Sequence, residues 1–238
     1  MEGAAIPGTR VERLAAELFD GLSADGMDAE VVEWMAGTRR FRDFVERHRD
    51  KIRKKLRGAA DTEARRDVRA ELRVAQVLLT DRRIELRYEA DGPAKGGPDF
   101  GVIFRGHPAF NLEVTRLRSD ARSAVAHHVL AKLRQLPAST ANALLLAMNA
   151  QPPEGSRLDT ELHALRARAD AKDERFFTTR GFDGSRDFYR RYLRLGAVLL
   201  WSEGAVGDAR ATAWLNRSAR IGLPAPALSA CVSCLRAG

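Results

Sequence analysis

The sequence predicts an α/β fold: a mixed β-sheet flanked by helices, preceded by an N-terminal helical extension. Three observations carry that expectation. Residues 1–60 read as helices alone. Residues 99–105 and 109–116 alternate apolar and polar side chains on either side of a Gly106-His107-Pro108 break, as the arms of a β-hairpin do. Further on, wholly apolar runs of strand length at 143–148 and 196–201 are separated by helix-like stretches, the pattern of strands covered on both faces. At 238 residues the chain exceeds a typical domain of about 150. The expected division is a basic helical extension over residues 1–60 and an α/β domain over 61–238.

Helices are expected at about 9–20, 27–36 and 39–57. In the last of these, Phe41, Phe44, Val45, His48, Ile52 and Leu56 recur at helical spacing. Gly58-Ala59-Ala60 then breaks the pattern, and Asp61 or Thr62 caps a further helix over 62–80. A strand follows at 84–90, then the hairpin. A helix over 119–136 ends at Pro137, which cannot continue it. The strand at 143–148 leads to helices near 158–172 and 185–194, strands near 196–201 and 211–215, and a last short helix after Pro224 and Pro226.

The hairpin carries two acids. If its turn centres on His107, then Phe104 faces Phe110, Val102 faces Leu112 and Phe100 faces Val114, which sets three apolar pairs on one face. On the other face Asp99 opposes Thr115, Glu113 lies diagonal to Asp99, and Gly101 sits directly across from Glu113. Diagonal neighbours are about 7–8 Å apart, a span over which two carboxylates can share one cation. Gly101, lacking a side chain, leaves room there for an ion and a phosphate. The competing reading of Asp99, Asn111, Glu113 and Thr115 is an ordinary solvated face. A third acid lies upstream. In the helix over 62–80, Val68, Leu72, Val74, Ala75, Leu78 and Leu79 fill one arc and Arg69, Arg73, Gln76 and Thr80 the other. Glu71 falls in the apolar arc, where a carboxylate is costly unless it meets a cation, a donor or water in a cleft. The alternative there is a buried acid paired with an arginine.

A helix bearing Glu71 in the setting E-L-R-V-A-Q-V-L-L, a strand at 84–90, then Pro98-Asp99 and Glu113-Val114-Thr115, resembles the core of the PD-(D/E)xK nuclease superfamily. The resemblance covers about residues 62–150. It implies a restriction-endonuclease-like sheet and a metal-dependent nuclease that hydrolyses phosphodiester bonds of DNA or RNA. It also implies that Glu71, Asp99 and Glu113 hold Mg²⁺ or Mn²⁺, which activates water. The family's lysine, two residues after the last acid, is Thr115 here. A hydroxyl is a poor electrostatic substitute at that place. The alternative reading is therefore a catalytically inactive module of the same fold that binds nucleic acid or protein.

Lys132 is the candidate for the missing charge. Only six of the 40 Lys and Arg residues are lysines, and Lys132 falls in the inward stripe of Val125, Val129 and Leu136, flanked by His128 and Gln135. The competing reading is a lysine whose stem packs while its head reaches water. Lys95 and Arg116 are weaker candidates, since Arg116 shares the face of Val114 and points away from the acids.

Composition bears on the partner. A net charge of +8 and a pI near 10.1 suit a chain that meets a polyanion. Residues 39–57 hold ten Lys or Arg against three acids. If they neutralise duplex phosphates, affinity falls with salt at a log–log slope of about −0.9 per phosphate; the competing reading is a solvated helix face. An exposed N-terminal helical layer also offers a surface for a homodimer. Cys231 and Cys234 form a CxxC without the βαβ setting or further ligands that a redox or metal role needs, so packed thiols are expected. The opening residues carry no basic and apolar leader, and no run approaches 18 apolar residues. A soluble cytoplasmic protein without membrane contact is expected.

Overall fold

The computed structural model describes residues 9–20, 22, 26–89, 97–118, 124–148, 156–204 and 209–238. The chain forms two compact units, Met1–Arg82 and Arg83–Gly238. The helix over 62–78, expected within the α/β domain, thus groups with the N-terminal helices.

The first unit consists of α1 (Arg10–Phe19), α2 (Met27–Gly37), α3 (Arg39–Arg47), α4 (Arg49–Gly58) and α5 (Thr62–Leu78). Thr9 and Glu12 form a reciprocal capping box at the start of α1, and Asp61 caps α5 by accepting the Ala64 N–H at 2.7 Å. The single helix expected over 39–57 is two helices. His48, at φ −107° and ψ 14°, leaves the helical region between them. Periodicity could not show this break, because the apolar stripe continues through it: Phe41, Phe44, Val45, Ile52 and Leu56 are all buried. Polar links gather α5 onto its own unit. Arg69 of α5 takes Glu30 of α2 in two bonds of 2.6 and 2.8 Å, and the Arg40 guanidinium donates to the carbonyls of Leu79 and Asp81.

The second unit is α/β. Six strands, β1 (Ile84–Tyr88), β2 (Phe100–Phe104), β3 (Phe110–Leu117), β4 (Ala141–Met148), β5 (Leu195–Ser202) and β6 (Arg210–Leu215), form one mixed sheet in sequence order. β1, β2 and β3 are mutually antiparallel neighbours, β3, β4 and β5 run parallel, and β6 returns antiparallel. Between them lie α6 (Ala124–Leu133), α7 (Ser156–Asp170), α8 (Glu174–Thr178), α9 (Ser185–Tyr192) and the terminal α10 (Ala225–Ala237). On one face of the sheet, Leu117, Leu144, Leu146 and Leu200 pack with Val129 and Leu133 of α6, Leu162 of α7 and Phe188 of α9. Near β6, α10 adds cover, and the Trp201 indole donates to the Leu235 carbonyl at 2.9 Å.

The hairpin register differs from expectation. Phe100 pairs with Leu112, Gly101 with Asn111 and Val102 with Phe110, while Phe104 faces Ile84 of β1 instead of Phe110. The turn explains the shift. The His107 N–H donates to the Phe104 carbonyl at 2.9 Å and Gly106 takes φ +80°, so the chain reverses between Arg105 and Gly106 rather than at His107. Moving the centre by one residue moves every partner by two. Because side chains alternate with period two, each residue keeps its face. Gly106→Ala is expected to destabilise the fold by about 1–2 kcal/mol, since a side chain is strained at that φ. Urea unfolding with an unchanged m-value would check it.

Candidate functional site

β3 holds the centre of the site. Its odd-numbered residues, Asn111, Glu113, Thr115 and Leu117, share the face on which Leu117 meets the α6, α7 and α9 core. An acid on that face needs an answering charge, and α6 supplies it. The Lys132 Nζ lies 2.6 Å from Glu113 Oε1, with the Glu113 side chain 13% exposed and that of Lys132 25%. Lys132 stands in the last turn of α6, where the helix dipole also favours a cation.

Asp99 immediately precedes β2. The β2–β3 ladder ends at Phe100 and Leu112, and two residues further along β3 the Val114 N–H donates to Asp99 Oδ2 at 2.9 Å. The carboxylate thus takes the place of a strand carbonyl, and it ties the entry of β2 to the residue beside Glu113. Thr115 Oγ1 is buried and has no hydrogen-bond partner. Unmet burial of a hydroxyl costs about 1–3 kcal/mol. Gly101 lies opposite Asn111, not opposite Glu113. The room it leaves is therefore beside the buried Asn111 amide, which donates to Asn142 Oδ1 at 3.1 Å, and not beside the acid.

Glu71 belongs to the helical unit. It is 6% exposed and accepts from Lys55 Nζ at 2.6 Å. The buried acid is paired as the competing reading required, but with a lysine of α4 in place of an arginine. Arg116 is buried, and Lys95 lies outside the described residues. Glu113 and Lys132 are brought together, and Asp99 is tied to the strand that carries them. Among the described residues, no group of three or more His, Cys, Asp or Glu side chains is arranged to hold a metal ion.

Sequence reasoning missed two features. Lys55 had the same signal as Lys132, a rare lysine near an acid of an apolar arc, yet its partner lies one helix away and cannot be read from periodicity. Arg118, just past β3, adds its charge to the surroundings of His128. Burial, then the charges of His127, Lys132 and Arg118, hold the His128 imidazole below its ordinary 6.5.

The basic segment is largely engaged within its own unit. Arg49 meets Glu17, Arg53 and Arg57 meet Asp20, Arg39 meets Asp43, Lys55 meets Glu71, and Arg40 serves backbone carbonyls. Cys231 and Cys234 are free and buried in α10. The His107 ring stacks on Phe104 at 5.4 Å. No helix among the described residues is long and apolar enough to cross a membrane. No family model, no curated protein and no solved structure matches the chain.

Two outcomes follow from this geometry. Lys132→Met strands a largely buried carboxylate and is expected to cost about 3 kcal/mol, whereas Lys132→Met with Glu113→Leu costs less than the two single changes added together. Denaturant midpoints of the four proteins measure this. For His128 the native state releases its proton at lower pH than the unfolded chain does. Its contribution to stability is therefore complete above pH 6.5 and is lost as the pH falls through the lower native value. His48, lowered chiefly by burial, acts in the same direction. The slope of stability against pH below 6.5 should flatten in His128→Gln, and further when His48 is also replaced.

Proposed function

We propose that the chain is a metal-dependent nuclease of the PD-(D/E)xK type, hydrolysing phosphodiester bonds of DNA or RNA in the cytoplasm. The observation that carries this reading is the Lys132 ammonium at 2.6 Å from Glu113, because it brings a positive charge to the strand position beside which the family's lysine is missing. The order α5, β1, β2, β3, α6, β4 also agrees with the helix-strand-strand-strand-helix-strand order of the restriction-endonuclease-like core.

The donor set suits a hard cation. Asp99 and Glu113 offer carboxylate oxygens, and Mg²⁺ or Mn²⁺ is commonly held by one or two carboxylates with waters and substrate phosphates completing its shell. Thr115 Oγ1 is a further oxygen on the Glu113 face that lacks a partner. Glu71 is the third acid in motif order. Such a metal, when bound, lowers the pKa of a water and stabilises charge on the phosphorane. The chain's own residues would do the rest. Lys132 holds Glu113 in place and offsets the negative charge that gathers on the transferring phosphate. Asp99, fixed by the Val114 N–H, keeps its carboxylate level with that strand.

One observation favours a second reading, a nuclease-fold module that binds nucleic acid without cutting it. The ammonium on Glu113 competes with a metal for the same oxygen, and Thr115 supplies no charge in its stead.

Cleavage of plasmid, single-stranded DNA and RNA with Mg²⁺ or Mn²⁺ tests the choice. Glu113→Ala is expected to abolish hydrolysis, and Lys132→Met to lower kcat by about 10²–10³. Equal activity in wild type and Glu113→Ala would overturn the nuclease assignment. Absence of Mn²⁺ binding by calorimetry, with salt-sensitive nucleic-acid binding retained, would select the binding module.

A further inference from the structure

The first two turns of α5 carry Thr62, Arg65, Arg66 and Arg69 at the i, i+3, i+4, i+7 spacing of one helix face. All four line a cavity of about 520 Å³ within the helical unit. The other side of that cavity is apolar. Phe19 comes from the end of α1, Met27 from the first turn of α2 and Leu56 from the last turns of α4, and each is otherwise buried in the unit. Three guanidinium groups thus share the lining with one carboxylate, Glu30, whose two oxygens both take Arg69. Arg66 reaches Glu63 along the exposed helix surface at 2.6 Å.

A wall with more cations than acids, facing an apolar floor, selects a ligand that is anionic at one end and apolar at the other. The magnitude of the excess decides the class. A carboxylate brings one negative charge, whereas a phosphomonoester brings about 1.5 to 2 at neutral pH, with oxygens that match the guanidinium fork. The cavity also lies within the roughly 300–1,000 Å³ of sites for small organic ligands, which is more than a bare phosphate fills. We propose that this cavity binds a phosphomonoester carried on an apolar body, with Arg65 and Arg66 on the phosphate and Phe19, Met27 and Leu56 under the body. The proposal stands apart from the nuclease reading, since every residue it uses lies in Met1–Arg82.

Calorimetric titration of the full chain with adenosine monophosphate, with an alkyl phosphate and with inorganic phosphate tests it. Saturable binding of at least one organic phosphate, with inorganic phosphate about tenfold or more weaker, is the expected result. Preference for the nucleotide would assign the body as a nucleoside, and preference for the alkyl phosphate as an acyl-like chain. Arg65→Gln with Arg66→Gln is expected to weaken binding about tenfold or more, as loss of charge-assisted bonds implies. Arg66→Gln alone, at a side chain that is more than half exposed, gives the same direction without a folding penalty. Circular dichroism confirms that the variants remain folded. No binding of either organic phosphate at millimolar concentration, or binding indifferent to the arginine substitutions, would overturn the proposal.

Discussion

Parallel pairing between β3 and β4 is the constraint from which the arrangement around Glu113 follows. Antiparallel neighbours can be joined by a tight turn, as β2 and β3 are through Gly106, but parallel neighbours need a crossover long enough to return the chain to the start of the next strand. That crossover contains α6, and its apolar residues Val129, Leu130 and Leu133 must be buried against the sheet. They bury themselves on the face that carries Leu117, Leu144 and Leu146. Glu113 shares that face, so a helix docked there covers an acid as well as the leucines. Lys132, between two buried residues of the last turn, meets the acid at the point where desolvation would otherwise penalise it.

The antiparallel side of β3 is governed by a different limit. β2 ends at Phe100, which leaves the edge of β3 beyond Leu112 without a strand partner on that side. Exposed or buried, a main-chain N–H seeks an acceptor. Asp99 supplies one to Val114 from the residue just outside the strand. The two acids therefore have different physical positions despite their common face. Asp99 is held by a backbone donor that cannot move without disturbing the sheet, whereas Glu113 is held by a long, flexible ammonium. An incoming cation would displace the lysine from Glu113 far more readily than the N–H from Asp99.

What the sequence made legible divides along the same lines. Period-two alternation assigns faces, and it placed Asp99, Glu113 and Thr115 together correctly. It is blind to a register slip of two, because such a slip returns every side chain to the same face. Only the turn discriminates, and the φ of Gly106 is a backbone property that the residue permits but does not announce. In the helices the same reasoning found the buried side of Glu71 but not Lys55, since a wheel reports the face of one helix and not what another brings to it. The break at His48 was hidden for an equivalent reason: the apolar stripe runs unchanged across it. The charge run over 39–57 was visible, but its destination was not. Surface pairs such as Arg49 with Glu17 and Arg53 with Asp20 join residues more than thirty positions apart. They spend on the unit's own acids much of the charge that composition alone would offer to a polyanion.

Replacing a strand lysine by Thr115 changes what the site depends on. A lysine at that place would stand two residues from Glu113 on the same strand face, its position set by β3 alone. With the charge on α6, the geometry between cation and acid is set by how the helix docks, hence by Val125, Val129, Leu133 and the side chains of α7 and α9 beneath them. A change in that apolar layer, remote from any polar chemistry, would shift Lys132 relative to Glu113. The buried Thr115 hydroxyl marks the strand position that the charge has left. It costs desolvation without any compensating bond, so its retention in a tightly packed face is best accounted for by a partner that arrives from outside the chain.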